Sequence, residues 1–357
     1  MDTGLRDSFL QLVRFGIGSQ GGAISNEIDW NAIESIAEMQ GLLAIVLDGV
    51  ESLPAEYRPP KDFLLQWIGN VMQIENSQAL QWKAERELAL LLKENQIKTY
   101  VLKGSVVSEC YPTPTHRQSV DMDCFLQSFE GNKDVWEKGN KIIEEKGIEV
   151  ERIHYKNSTW FLPDLTVENH KFITPFRGNK RLEKLERQLQ SMLRDDNRED
   201  RFEGTWLFRP PVMVSALFMI EHAYSHFLHE GLTWRHILDW MMFSKKHKED
   251  IDWPFLNSKI DEYGFRRFYD SYSRLGQYLI GGIQESSLTV LDKRMLEDVW
   301  KELDLHETVT GIKGKIALAG NTWRARWKYK YFSEISMVHA LWIQVTGFIF
   351  MKSPSLD

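Results

Sequence analysis

Cysteine is nearly absent: Cys110 and Cys124 are the only two in 357 residues. So few exclude a disulfide-stapled secreted scaffold. Both fall in one short segment, where reduced, packed thiols in a cytoplasmic setting are expected. An excess of basic charge is missing as well. The formal net charge of -7 excludes a protein that coats nucleic acid through a global basic field, but not a local phosphate pocket. Long hydrophobic runs are missing too. The longest, Met337 to Met351, is broken by His339, Gln344, Thr346 and Gly347. It falls short of the roughly 20 apolar residues a spanning helix needs, so no membrane partner is expected. The opening Met1-Asp2-Thr3-Gly4-Leu5-Arg6-Asp7 has neither a basic nor an apolar signal region, and no secretory signal is expected. There is no internal repeat. What is present, 43% hydrophobic and 27% charged residues, is the make-up of a globular protein with room for two or three domains.

Periodicity divides the chain into three regions. Residues 1–96 read as helices, with apolar residues at 3–4 spacing over Trp30 to Val50 and Lys61 to Glu94, and Asn95 as a stop. Residues 97–202 contain short β-rich runs: Thr99 to Leu102, Val120 to Leu126, Ile148 to His154, Thr159 to Leu162 and Leu165 to Ile173. A charged amphipathic helix over Lys180 to Arg201, striped by Leu182, Leu185, Leu189 and Met192, closes this block. Pro210-Pro211 opens a helical region, so the third domain is placed at 203–357. The expected class is α+β: a small mixed-sheet core between two helical regions.

Within the core, an apolar run reaches Lys103-Gly104-Ser105, a helical stretch and a Pro-rich turn follow, and a second apolar run carries Asp121-Met122-Asp123. On a strand, residues i and i+2 share a face, so both carboxylates aim at one point. Two adjacent like charges repel, and holding both ionised calls for a cation between them. Carboxylate oxygens suit Mg²⁺ or Mn²⁺. A helix starting at Gly104-Ser105 directs free N–H groups at a phosphate, although Ser105 serves equally as a helix cap. Lys103 is either a phosphate contact or a solvated strand-end lysine.

Gly-Ser, a spacer and Asp-x-Asp between apolar residues resemble the DNA polymerase β-type nucleotidyltransferase superfamily. Leu102-Lys103-Gly104, Tyr111-Pro112-Thr113-Pro114 and Arg117, four residues before Asp121, are similar to one bacterial branch, the uncharacterised nucleotidyltransferase family called type 5. The resemblance covers roughly the middle two-thirds of the chain. It implies a metal-dependent transferase that binds a nucleoside triphosphate such as ATP at Gly104-Ser105, with Asp121 and Asp123 on the metal. It gives Arg117 a phosphate contact. It also implies a third acid on a later strand, where this chain has Glu168-Asn169-His170. Glu168 is the expected metal ligand or general base, with His170 beside it and Asp164, on the same face by period 2, as the alternative. Val120, Cys124 and Lys171 depart from the family pattern and mark a divergent member.

A second block, from Ile220 to Trp240, is similar to the branch's His-x3-His helix followed by a Gly turn and Arg-x3-Asp. Together with His170, it makes His222, His226, Arg235 and Asp239 the substrate-pocket candidates. His222, His226 and His229 fall on one helical face. Metalloprotease spacing needs Glu directly after the first His. Ala223 stands there instead, so packing or a nucleotide-facing surface is expected ahead of zinc. Arg235 and Asp239 have the spacing of a helix salt bridge. The basic-aromatic run Trp323 to Tyr331 reads as a helix packing its rings with its cations in water. The expected reaction moves a nucleoside monophosphate from an NTP to an acceptor hydroxyl. The acceptor is open, with a small molecule or protein favoured over nucleic acid. A non-catalytic nucleotide-binding or scaffold protein is the competing expectation.

Overall fold

The computed structural model describes residues 2–19, 22, 24, 27–130, 135–152, 155–301, 325–340 and 342. The N-terminal region forms α1 (Thr3–Gly16), α2 (Trp30–Met39), α3 (Leu43–Glu51) and the long α4 (Lys61–Glu94). Local chemistry sets the boundaries. Asp2 and Asp29 cap α1 and α2, accepting from the N–H groups of Gly4 and Ala32 at 3.1 and 3.0 Å. α4 begins behind Pro60 and stops at Asn95, whose amide turns back to donate to the Leu91 carbonyl at 2.9 Å.

α1 crosses α3 at close range because Gly49 has no side chain: a Cβ there would overlap the Leu12 carbonyl. Gly49→Ala should therefore destabilise the protein by about 1–3 kcal/mol, the usual cost of overpacking. Urea denaturation of the two forms checks this.

Six strands form one mixed sheet: β1 (Ile97–Val101), β2 (Asp121–Ser128), β3 (Val150–Glu151), β4 (Asn157–Leu162), β5 (Leu165–His170) and β6 (Leu207–Phe208). Their order is β3-β4-β5-β2-β1-β6, with β2 antiparallel to β1 and parallel to β5. β6 pairs in parallel with β1, so the sheet takes in residues from beyond position 202. Between β1 and β2 lies a single helical turn, α5 (Ser105–Ser108), and then a loop through a 3₁₀ turn at Pro114–His116.

The period-2 alternation of β2 and β5 builds a two-faced sheet. Met122, Cys124, Leu126, Leu165 and Val167 are buried with Ile142 and Ile143 of α6 (Val135–Glu145) and Leu88 and Leu92 of α4. Asn169 shares this face and donates to Asn140 on α6 at 3.0 Å. The opposite face carries Asp121, Asp123, Glu168 and His170. There the His170 ring meets Phe218 of α8 (Val212–His229), with 6.3 Å between ring centroids.

Among the described residues, the remaining α-helices are α7 (Lys180–Arg194), α8 (Val212–His229), α9 (Trp234–Lys246), α10 (Trp253–Tyr263), α11 (Arg266–Leu279), α12 (Val290–Lys301) and α13 (Arg326–Phe332). They share an apolar core with α1, α2 and α3. α7 keeps its apolar stripe but ends before the expected Arg201. Asp196, just beyond it, instead accepts from Tyr100 at 3.1 Å and Arg198 at 2.8 Å. Cys110 and Cys124 are free and buried.

In the basic-aromatic run, Trp323 and Arg324 lie outside the described residues, as does most of Met337 to Met351. The rest of the run is α13, with Tyr329 and Phe332 buried. One cation is not in water: Lys328 is buried, its Nζ 2.6 Å from Asp298. Among the described residues, no helix is long and apolar enough to cross a membrane.

Candidate functional site: a carboxylate cluster beside a histidine cluster

The parallel pairing of β2 with β5 places Asp123 directly opposite Glu168. Residues opposed in a sheet point to the same face, so the two carboxylates are neighbours by register. His170, two residues further along β5, sits against both. Its Nε2 lies 2.8 Å from Asp123 Oδ1 and 3.5 Å from Glu168 Oε2, and its Nδ1 is 3.2 Å from the Phe172 carbonyl. A carbonyl only accepts, so Nδ1 carries a proton. One ligand atom from each of Asp123, Glu168 and His170 falls within 4.8 Å of the others. Asp164, the alternative acid, is exposed in the β4–β5 turn.

The cluster's electrostatics follow from burial and proximity. Burial and Lys156 disfavour the imidazolium of His170, but the hydrogen bonds to Asp123 and Glu168 outweigh them and raise its pKa above the ordinary value. For Asp123, burial favours the acid form. The hydrogen bond and charge of His170, together with Lys103, overcome it and hold this carboxyl well below the usual range. The hydrogen bond from His170 likewise lowers Glu168. Asp121 goes the other way: burial, then repulsion from Asp123, raises its pKa. A protonated His170 thus supplies the positive charge that holds Asp123 and Glu168 ionised, while Asp121 is short of one. Two carboxylates in ligating range, with a third on the same strand face, match a hard divalent cation such as Mg²⁺ or Mn²⁺.

β1 delivers the Gly-Ser turn to the same edge, where the Leu102 N–H donates to the Asp123 carbonyl at 2.8 Å. Gly104 turns the chain at φ +79°, a conformation side chains disfavour. The Ser105 hydroxyl is not free: it donates to Glu85 Oε2 on α4 at 2.5 Å. Glu85 is buried, and burial pushes its pKa up to about 7 despite that hydrogen bond. α4 also pins the loop before β2, with Gln78 bonded to the Ser119 carbonyl at 2.9 Å and to its N–H at 3.2 Å. His116 clamps the same loop. Its ring nitrogens lie 2.8 Å from Asp48 on α3 and 3.0 Å from Glu75 on α4.

Those two bonds, led by the one to Asp48, raise the His116 pKa over the opposing effect of burial. The imidazolium is therefore favoured in the folded state. Its contribution is full below the ordinary histidine pKa near 6.5 and is lost as pH rises through the higher folded value. His116→Gln should cost about 1–2 kcal/mol at pH 5.5 and clearly less at pH 9. Urea denaturation at the two pH values measures the difference.

Arg117 is placed differently from the expectation. Rather than being free for a phosphate, its buried guanidinium grips Asp239 of α9, Nε to Oδ1 at 3.1 Å and Nη2 to Oδ2 at 2.7 Å. The Tyr111 hydroxyl donates to the same carboxylate at 2.7 Å. Arg117 keeps Asp239 below the ordinary range against the pull of burial. The expected helix salt bridge between Arg235 and Asp239 is not formed. Arg235 Nη1 donates to the Gln118 carbonyl at 3.1 Å, because Arg117 and Tyr111 already occupy both oxygens of Asp239. Three groups separated by up to 128 positions thus tie the loop before β2 to α9.

His222 and His226 converge as expected, but the third ring is His236 of α9, not His229. His229 Nδ1 instead lies 3.2 Å from the Tyr329 hydroxyl. One nitrogen from each of His222, His226 and His236 falls within 4.8 Å of the others. Lys103 Nζ is 2.7 Å from His222 Nε2. Burial lowers the pKa of Lys103 against the attraction of Asp123, so its amine stands between the two clusters. Burial, then Lys103, holds His222 and His236 far below the ordinary histidine pKa.

Sequence reasoning passes over Glu85 and His236, and it takes Tyr111 only as part of a motif, not as a partner of Asp239. Gln78 and Glu85 sit seven apart on the buried stripe of α4, a polar interruption that carries the signal. His236 stands three residues after the cap residue Thr233, the capping-box spacing.

A model of the uncharacterised nucleotidyltransferase family matches residues 26–281, and the chain belongs to that family. The match takes in the sheet, the acids and the histidines. No curated protein and no solved structure matches the chain.

Proposed function

We propose that the protein transfers a nucleoside monophosphate from a nucleoside triphosphate to an acceptor hydroxyl. One observation carries this reading: Asp123 and Glu168 face each other on adjacent parallel strands, with Asp121 two residues away on the same strand face. In this reading Asp121, Asp123 and Glu168 hold Mg²⁺ or Mn²⁺. The ion, when bound, neutralises charge developing on the phosphate oxygens.

The chain's own groups do the rest. The Gly104 turn brings backbone close to the triphosphate, and Lys103 supplies a cation beside it. Glu168 accepts the proton of the acceptor hydroxyl as its oxygen attacks the α-phosphorus. The bond from that phosphorus to the bridging oxygen breaks and pyrophosphate leaves. His170 orients Asp123 and Glu168 through its Nε2 and is a positioning residue. Arg117, Tyr111 and Asp239 hold the loop before β2 in place, so their part is to position Asp121.

Support for this reading comes from the family match and the side chains gathered at one strand edge. The acceptor is proposed to be a small molecule or a protein, and the compartment cytoplasmic. The test is a screen with α-phosphate-labelled NTPs and Mg²⁺ or Mn²⁺ against small hydroxyl compounds, protein and tRNA. Label transfer with release of pyrophosphate is expected. Nucleotide binding without transfer to any acceptor would make the protein a non-catalytic binder.

A further inference from the structure

The acid-bearing face of the sheet is open on one side only, over β4 and β5. Opposed residues in a sheet share a face, so the register builds rows across three strands. Phe161, Thr166 and Asp121 form one row, Thr159, Glu168 and Asp123 the next, and Asn157, His170 and Phe125 the third. β4 shows the same from its other side: Ser158 and Trp160 turn away and donate to Asn140 of α6 at 2.6 and 2.8 Å. The third row is closed, because Phe218 of α8 stands against His170. The first is open. Phe161 is 42% exposed, a large ring left in water, with Thr159 and Thr166 half-buried beside it. Asp121 is two strands away, roughly 10 Å at the usual strand spacing.

The direction of the proposed reaction decides which substrate meets this ring. Attacking and leaving oxygens stand in line on opposite sides of the α-phosphorus. The Gly104 turn flanks β2 from the β1 side, where a Cβ on Gly104 would lie 3.5 Å from the Asp121 carbonyl oxygen. With the triphosphate on that side, the acceptor arrives from the other, over Glu168 and β4. Beside Glu168, the first two rows of β4 and β5 offer it an aromatic ring and two hydroxyls, and no cation. Lys156 precedes β4 at the closed end, where its carbonyl accepts from the Phe172 N–H at 3.0 Å. A nucleic-acid acceptor needs cations for its phosphates. A sugar needs none. Its apolar C–H face lies flat on an aromatic ring, and its rim of hydroxyls donates and accepts as threonine hydroxyls do.

We infer that Phe161, Thr159 and Thr166 form the acceptor subsite, and that the acceptor is an uncharged sugar stacked on the Phe161 ring with its attacking hydroxyl at Glu168. The inference rests on the transferase reading for the direction of attack, and on the sheet register for the platform.

The experiment is saturation-transfer difference NMR of the full chain with a panel of uncharged methyl hexosides in EDTA, run beside the labelled-NTP screen. Binding is then read without metal and without turnover. The wild type should saturate the sugar ring protons. Phe161→Ala, verified as folded by circular dichroism, should lower the signal about fivefold to tenfold, the weight of one lost aromatic stack, and Phe161→Trp should restore it. In the screen, label should reach a sugar hydroxyl, and Phe161→Ala should raise the KM for that sugar more than the KM for NTP. No sugar binding by the wild type, or equal signals from the wild type and Phe161→Ala, would overturn the inference. So would label that reaches only tRNA or protein, a result that leaves the transferase reading intact. Sugar binding that is lost in Phe161→Ala, without transfer to any acceptor, would remove the transferase reading and keep the sugar subsite.

Discussion

Asp123→Asn should abolish nucleotidyl transfer while leaving a folded protein. Asparagine has the same shape but no charge, so it cannot hold a divalent ion beside Asp121 and Glu168. Loss of the several kcal/mol that such an ion supplies in the transition state corresponds to a fall on the order of 10³-fold or more. Rates with α-labelled NTP and an identified acceptor measure it. Stability should change with opposite sign at the two aspartates. Asp123 is stabilised as a carboxylate by His170 and Lys103, so Asp123→Asn should cost about 1–3 kcal/mol in the metal-free protein. Asp121 is burdened by burial and by repulsion from Asp123, so Asp121→Asn should leave stability unchanged or raise it. Turnover retained in Asp123→Asn would remove the carboxylate cluster from the mechanism.

Arg117→Met should destabilise the protein by about 3–5 kcal/mol, because it strands the buried Asp239 carboxylate without its cation. The double variant Arg117→Met/Asp239→Leu should recover much of that loss, since the cost lies in the unpaired charge rather than in the missing contact. Urea denaturation of the wild type, both single variants and the double variant completes the cycle. A phosphate-binding Arg117 would behave otherwise: the single variant would weaken NTP binding and leave stability nearly untouched. That difference decides between the role the family resemblance suggests and the one the ion pair supports.

Much of the site's frame was legible in the chain because it follows local rules. Asp121 and Asp123 lie in an eight-residue strand where they alternate with the apolar Met122, Cys124 and Leu126, and a period of 2 placed both acids on one face. Glu168 and His170 obey the same period in β5, and the pairing of β5 with β2 brought them to Asp123. Pairings set by tertiary packing leave no periodic trace. Arg117 and Asp239 stand 122 positions apart, and nothing near either residue announces the other. The i,i+4 spacing of Arg235 and Asp239 pointed to a bond that a better-placed guanidinium pre-empts. Helical phase brought His222 and His226 together, but it favoured His229 over His236 because the crossing of α8 and α9 is invisible to it. β6 is too short to register as a strand, and it joins the sheet from beyond the expected core boundary.

The central claim is that Asp121, Asp123 and Glu168 hold a divalent ion together with the nucleotide. Titration of Mn²⁺, followed by its electron paramagnetic resonance signal, tests it most directly in the presence of a non-hydrolysable α,β-methylene triphosphate. The account predicts Mn²⁺ binding that tightens when the nucleotide is present and is lost in Asp121→Asn and Asp123→Asn, but persists in His226→Leu. Mn²⁺ binding that ignores both aspartate substitutions, or that disappears only with the histidine variant, would contradict it.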